Sequence, residues 1–195
     1  MNHIKPLFPG VAAAFLFGLL LCLCPVAASA QQIAVKTNAL HWLTSTPNFS
    51  VEVGIDRHVS LQLAVGYNAW KFAGKRSLKH TSFIPEARYW LSRPMERHYV
   101  GVYGQYSAFN LRNAPLLAQN DRAYRGLFYG GGLSYGYQWA LGKRFGIEAS
   151  VGVGYLYIDY SQYEYTDCCA ERISDHRRSY FGPTRLALNL IYLIR

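Results

Sequence analysis

The sequence predicts an all-β protein, an eight-stranded antiparallel up-and-down transmembrane β-barrel, and three observations carry that expectation. Apolar residues recur at every second position, as where Val59, Leu61, Leu63, Val65 and Tyr67 interleave with Ser60, Gln62, Ala64, Gly66 and Asn68. That is the period of a strand with two unlike faces. Short and long connections take turns between such segments, the habit of strands running up and down around a barrel. Composition agrees: of 195 residues, 51% are hydrophobic and 15% aromatic, but only 16% are charged, against roughly 25% in an ordinary soluble domain. The aromatic content excludes a disordered chain. Beyond the N-terminus no apolar run approaches the ~20 residues of a spanning helix, which excludes a helical membrane protein.

The first thirty residues read as an address. Positive charge between Asn2 and Lys5 precedes the apolar run Val11 to Leu23, Pro25 breaks that run, and Ala28-Ser29-Ala30 stands before Gln31. This is the order of a cleaved secretory signal peptide, so residues 1–30 are expected to be removed and residues 31–195 to form one outer-membrane barrel domain. Cys22 and Cys24 each follow Leu rather than a small residue, which argues against a lipoprotein anchor. Cleavage would leave Cys168 and Cys169 as the only cysteines. Adjacent cysteines can close only a strained ring, and no His/Cys spacing for a tetrahedral metal site accompanies them. An oxidised loop pair without metal or redox function is expected.

Eight segments alternate, at about 33–43, 49–55, 59–70, 81–91, 98–109, 125–141, 145–160 and 179–195. The sixth sets Leu127, Tyr129, Leu133, Tyr135, Tyr137 and Trp139 against glycines, Ser134 and Gln138. The seventh sets Phe145, Ile147, Val151, Val153 and Tyr155 against Gly146, Glu148, Ser150, Gly152 and Gly154. The eighth sets Leu186, Leu188, Leu190, Tyr192 and Ile194 against Arg185, Ala187, Asn189 and Ile191. The connections at 56–58, 92–97 and 142–144 are short; those at 71–80, 110–124 and 161–178 read as long loops, and Thr44 to Asn48, the first connection on the long side, is the exception.

Two closed barrels fit this alternation. A lipocalin-like barrel turns its apolar face inward and its polar face to water; a membrane barrel does the reverse. A solvated face should be rich in Lys and Glu, whereas the polar face here is mostly Gly, Ser, Ala, Asn and Gln. Cations on the apolar face would cost ~2–4 kcal/mol at the bilayer midplane, and that face has almost none. Aromatic residues gather near strand ends, as interface belts require: Trp42, Tyr67, Trp70, Phe72 and Tyr157 toward the long loops, and Tyr89, Tyr99, Trp139, Phe145 and Tyr192 toward the short turns. The membrane barrel is the reading these points favour.

The alternation also sends Lys36, Glu52, Glu86, Arg88, Glu148 and Arg185 to the inner face. Lys36, Glu52, Arg88 and Glu148 each stand three or four residues from the short-turn end, a shared depth of roughly 10–13 Å at ~3.3 Å per residue. Buried charges must be paired, so a mutually neutralising structural network that plugs the lower lumen is expected; solvation in a wet channel is the alternative. Gly130-Gly131-Gly132 and Gly152-Val153-Gly154 resemble phosphate loops only superficially, because no helix follows them.

Basic residues crowd the long connections and their edges: Lys71, Lys75, Arg76, Lys79, Arg112, Arg122, Arg125, Arg172, Arg177 and Arg178. Phosphorylated outer-membrane lipid is the acidic partner expected for them, beside the reading of an ordinary solvated surface; an exported protein does not meet genomic DNA, so nucleic acid is not expected. The five histidines beyond residue 30, His41, His58, His80, His98 and His176, are scattered, and no motif assembles a catalytic triad. Neither an enzyme nor a cofactor is expected.

With these residues laid out, the chain resembles the domain of unknown function 3575 family. Lys36-Thr37-Asn38-Ala39-Leu40 with Pro47-Asn48 and Glu52, Val65-Gly66-Tyr67-Asn68, Pro85-Glu86-Ala87-Arg88-Tyr89-Trp90, Tyr135-Gly136-Tyr137 and Tyr180-Phe181-Gly182-Pro183-Thr184 carry the resemblance. It implies an outer-membrane barrel of Gram-negative anaerobes, sometimes considered alongside fimbrial proteins, and supplies no activity or catalytic residues. A structural, anchoring or surface-interaction role, with a surface or fimbrial protein as a possible partner, is therefore expected. The alternatives are a narrow pore for small solutes and a lipid-modifying barrel enzyme.

Overall fold

The computed structural model describes residues 32–43, 45–72, 76–112, 122–165 and 170–194. They form β1 (Ile33–Asn38), a short helix α1 (Ala39–Leu43), β2 (Asn48–Gly54), β3 (Val59–Phe72), β4 (Arg76–Trp90), β5 (Arg97–Arg112), β6 (Arg122–Ala140), β7 (Phe145–Tyr165) and β8 (Ala170–Ile194). Each strand pairs antiparallel with its neighbours in the sequence, and β8 returns to pair with β1, so one eight-stranded sheet closes into a ring. The expected signal peptide and the Cys168-Cys169 pair lie outside the described residues.

The strands are strongly tilted. From Ala34, direct partners lead through Glu52, Gln62, Glu86, Tyr103, Gly132 and Gly154 to Gly182 in β8. Ala34 itself pairs with Leu193, so one circuit climbs eleven residues (193 − 182) along β8. Closing a sheet requires such a stagger. A consequence governs the interior: direct partners around the ring stand at different heights, whereas residues counted equally far from the short-turn rim stand level.

Two expectations are corrected. The first segment was expected to be extended through residue 43, but the strand stops at Asn38 and α1 follows. The Asn38 side chain accepts from the Leu40 amide at 3.0 Å, as a helix N-cap does. Asn48 holds Asn38 in place: its Oδ1 accepts from the Asn38 amide at 2.6 Å and its Nδ2 donates to the Asn38 carbonyl at 3.0 Å. The supposed long loops are also largely strand: β3 and β4 pair out to Phe72 and Arg76, and β7 and β8 out to Tyr165 and Ala170. There the ladder extends past the amphipathic part of each strand, and alternation, which reports unlike faces, gives no signal.

Outward-facing side chains are apolar and open. Phe181 is 76% exposed, Leu186 68%, Leu133 67% and Val102 62%, while ionised side chains of the interior are among the most buried groups in the protein. At the short-turn end the interior is sealed by Ala34, Trp90, Met95, Tyr99 and Ile191. Met95 reaches that cluster from the β4–β5 turn, where it and Arg97 adopt left-handed backbone angles (φ 63° and 61°).

Candidate functional site

All six charged residues of the inner face meet in one network just above this apolar seal. Glu148 is its hub. Lys36 Nζ touches it, Arg88 grips both carboxylate oxygens at 2.9 and 3.1 Å, and Tyr99 and Asn189 donate to it at 3.0 and 2.9 Å. Glu52 takes Lys36 at 2.5 Å and Arg88 at 2.9 Å, and Ser60 also donates to it. Glu86 receives Arg88 at 2.8 Å and Arg185 at 2.7 Å, with Ser134 on its other oxygen. Three cations face three anions, and the side chains of Lys36, Arg88 and the three glutamates are fully shielded from solvent.

The sequence positions explain the convergence. β4 places Glu86 and Arg88 on one face, two residues apart; β1, β2 and β7 each supply one charge near the depth of Arg88, and Arg185 reaches Glu86 from farther up β8. Arg88 and Glu148 are 60 residues apart in sequence, yet form a two-pronged pair that fixes both orientation and distance. Removing an ion to a dry interior costs several kcal/mol. Here the cost is offset because each carboxylate meets two cations and at least one neutral donor.

Other partners escaped the sequence reading. Trp90 donates to Ser60 at 2.7 Å, holding the serine that serves Glu52. Tyr99 was expected in the aromatic belt at the short-turn rim; it is instead fully buried, with the Arg88 guanidinium 4.2 Å from its ring centroid. The alternation of β5 turns it inward, and the next strand leaves room for it. Tyr99 pairs with Gly136 and Tyr103 with Gly132, and a Cβ at Gly136 would fall 2.5 Å from the Tyr99 ring. The glycines are the space into which these tyrosines fit, so a register of Tyr against Gly is the signal that would have found them. Tyr89, Trp139 and Phe145 do face outward at this end.

Above the network the interior opens into a cavity of about 110 Å³ lined by polar side chains, among them Gln62, Ser82, Gln105 and Arg185. Among the described residues no three His, Cys, Asp or Glu side chains are grouped to hold a metal ion. The outer basic residues behave differently from the inner ones: Arg177 stands 3.5 Å from Asp159 with most of its side chain in solvent. Lys75 and the side chains of Lys71, Arg76, Arg112, Arg122 and Arg172, with those of Trp70 and Phe72, lie outside the described residues.

No curated protein matches the chain. The family model for a protein of unknown function, DUF3575, matches residues 15–194. Its span takes in every strand of the ring and all six charges of the network, and the chain belongs to the DUF3575 family.

Proposed function

We propose that this protein is an exported β-barrel that spans the outer membrane and acts as a structural or anchoring platform, not as an open channel or an enzyme. The observation that carries the reading is the inverted distribution of polarity. Open Leu, Val, Phe and Tyr side chains cover the outside, while Lys36, Glu52, Arg88 and Glu148 are buried within. Exposed apolar surface on this scale is unfavourable in water and favourable against hydrocarbon, where each outward Leu or Val is at home. Tyr89, Trp139 and Phe145 at one end, and Trp42 and Tyr67 toward the other, suit the two interfaces of a bilayer.

A closed sheet satisfies its ladder hydrogen bonds internally, which is what a spanning structure needs. The ionic layer and the apolar seal beneath it fill the lower interior, which favours a platform over a pore. Lys79, Arg125, Arg177 and Arg178 would then lie near the phosphates of outer-leaflet lipid, and the projecting ends of β6 to β8 would be the surface offered to a surface or fimbrial protein.

Two measurements test this. The purified chain should fold only with detergent or lipid; a folded monomer in plain buffer would overturn the membrane reading. Inserted in a planar bilayer, it should show no steady conductance; a steady channel would transfer the proposal to the narrow pore.

A further inference from the structure

The upper interior differs from the plug in that its wall is incomplete. β1 pairs with β8 only as high as Asn38↔Asn189, and with β2 no higher than Lys36↔Ser50. β3 and β8 continue far beyond that level. A spanning strand needs ~9–11 residues, so the six of β1 and seven of β2 leave a notch between β3 and β8. Helix α1 and residues 45–47 occupy it. Trp42 and Leu43 point outward, 55% and 82% exposed, and the Tyr67 amide donates to the Pro47 carbonyl at 3.0 Å.

The cavity lies directly inside this notch, and its lining has two characters. Gln62, Ser82, Gln105 and Arg185 face it from within, while the outward residues Phe49 and Leu186 border it at the wall. Gln62 is only 4% exposed, yet its side-chain oxygen, like that of Gln105, has no hydrogen-bond partner within the protein. The charge of Arg185 is balanced by Glu86 at 2.7 Å, although its Nη1, like the two glutamine oxygens, makes no hydrogen bond within the protein, so the cavity offers a ligand amide and hydroxyl groups and one charge-balanced guanidinium donor.

We propose that the notch is a side portal for a single-tailed amphiphile with a neutral, hydroxyl-bearing head, the head seated against Gln62 and Gln105 and the tail lying outside along Phe49 and Leu186. The inference rests on the membrane reading above, since a tail needs hydrocarbon to lie in. A volume of about 110 Å³ is enough for several waters, which suits a glyceryl head or part of a sugar ring. An anionic head would have to draw Arg185 away from Glu86.

The test uses the chain folded in lipid nanodiscs and octyl glucoside carrying a diazirine in its alkyl tail. Crosslinks should concentrate on residues 39–49 and 184–188 and saturate. Unlabelled octyl glucoside should compete at least tenfold better than octyl phosphate or free glucose. Ala64→Phe, which fills the cavity, should lower this labelling about tenfold; the competition series on the unaltered chain decides the matter even if that variant does not fold. Labelling spread evenly around the outer face would overturn the portal and leave the membrane reading standing, and equal competition by octyl phosphate or by free glucose would overturn the chosen head or tail. A chain that stays folded and monomeric in buffer and does not enter nanodiscs removes both readings together.

Discussion

The lower and upper halves of the interior are built from the same alternating strands and solve opposite problems. Below, six charged side chains, Tyr99 and Trp90 fill the space so completely that the largest of them have almost no exposed surface. Above, small residues and amides leave a cavity, and two of the eight strands stop. The difference teaches where rigidity resides. The plug ties β1, β2, β4, β7 and β8 through charge-assisted bonds, so it cannot be loosened at one strand without stranding an ion elsewhere. The upper wall at β1 and β2 is held by Asn38, Asn48 and Thr37, whose hydrogen bonds, to each other and to Asn38 from the Leu188 amide of β8, are between neutral groups.

The sharpest way to break this contrast is Arg88→Leu. It removes the cation shared by all three glutamates, and stranding buried charge costs about 3–5 kcal/mol. Urea unfolding in lipid vesicles should show a loss of that size or failure to fold; an unchanged midpoint would mean that the plug is not what holds the lower half. Glu52→Ala should be destabilising for the same reason, but Lys36→Met combined with Glu52→Leu should lose less than either single change, because the pair departs together. Additive losses in that double-mutant cycle would argue that the two charges are solvated independently.

A smaller effect is expected above. Asn48→Ala removes the clamp on Asn38 and should cost about 1–2 kcal/mol, with faster hydrogen exchange confined to residues 38–47; protection lost equally throughout the ring would erase the distinction between the halves. Smallest of all is Arg177→Ala at the exposed rim. Its pair with Asp159 is long and open to solvent, and such pairs contribute about 0–1 kcal/mol, so thermal melts should barely move.

How much of this was legible in the sequence depended on whether the signal was local. Inward placement of Lys36, Glu52, Arg88 and Glu148 follows from side-chain alternation alone, and their shared depth follows from counting residues from the short turns. Tyr99 was misplaced although the alternation of β5, with Val100 and Val102 outward, turns it inward; what that alternation does not weigh is the room Gly136 of the next strand leaves for a buried ring. Helix α1 was missed because the segment preceding it alternates correctly; what ends the strand is the Asn38–Asn48 clamp, formed only when β1 and β2 pair. The extra length of β7 and β8 was missed because a two-sided polar ribbon alternates between nothing and nothing.

By itself, then, the sequence determined the strand class, the number of strands and which residues turn inward, because each depends on the two-residue pleat of a single strand. Only the tertiary structure decided who pairs with whom among the buried ions, what makes room for the inward tyrosines and where the wall gives way to a helix. Those outcomes depend on an eleven-residue climb around a closed ring, a property that no one strand contains.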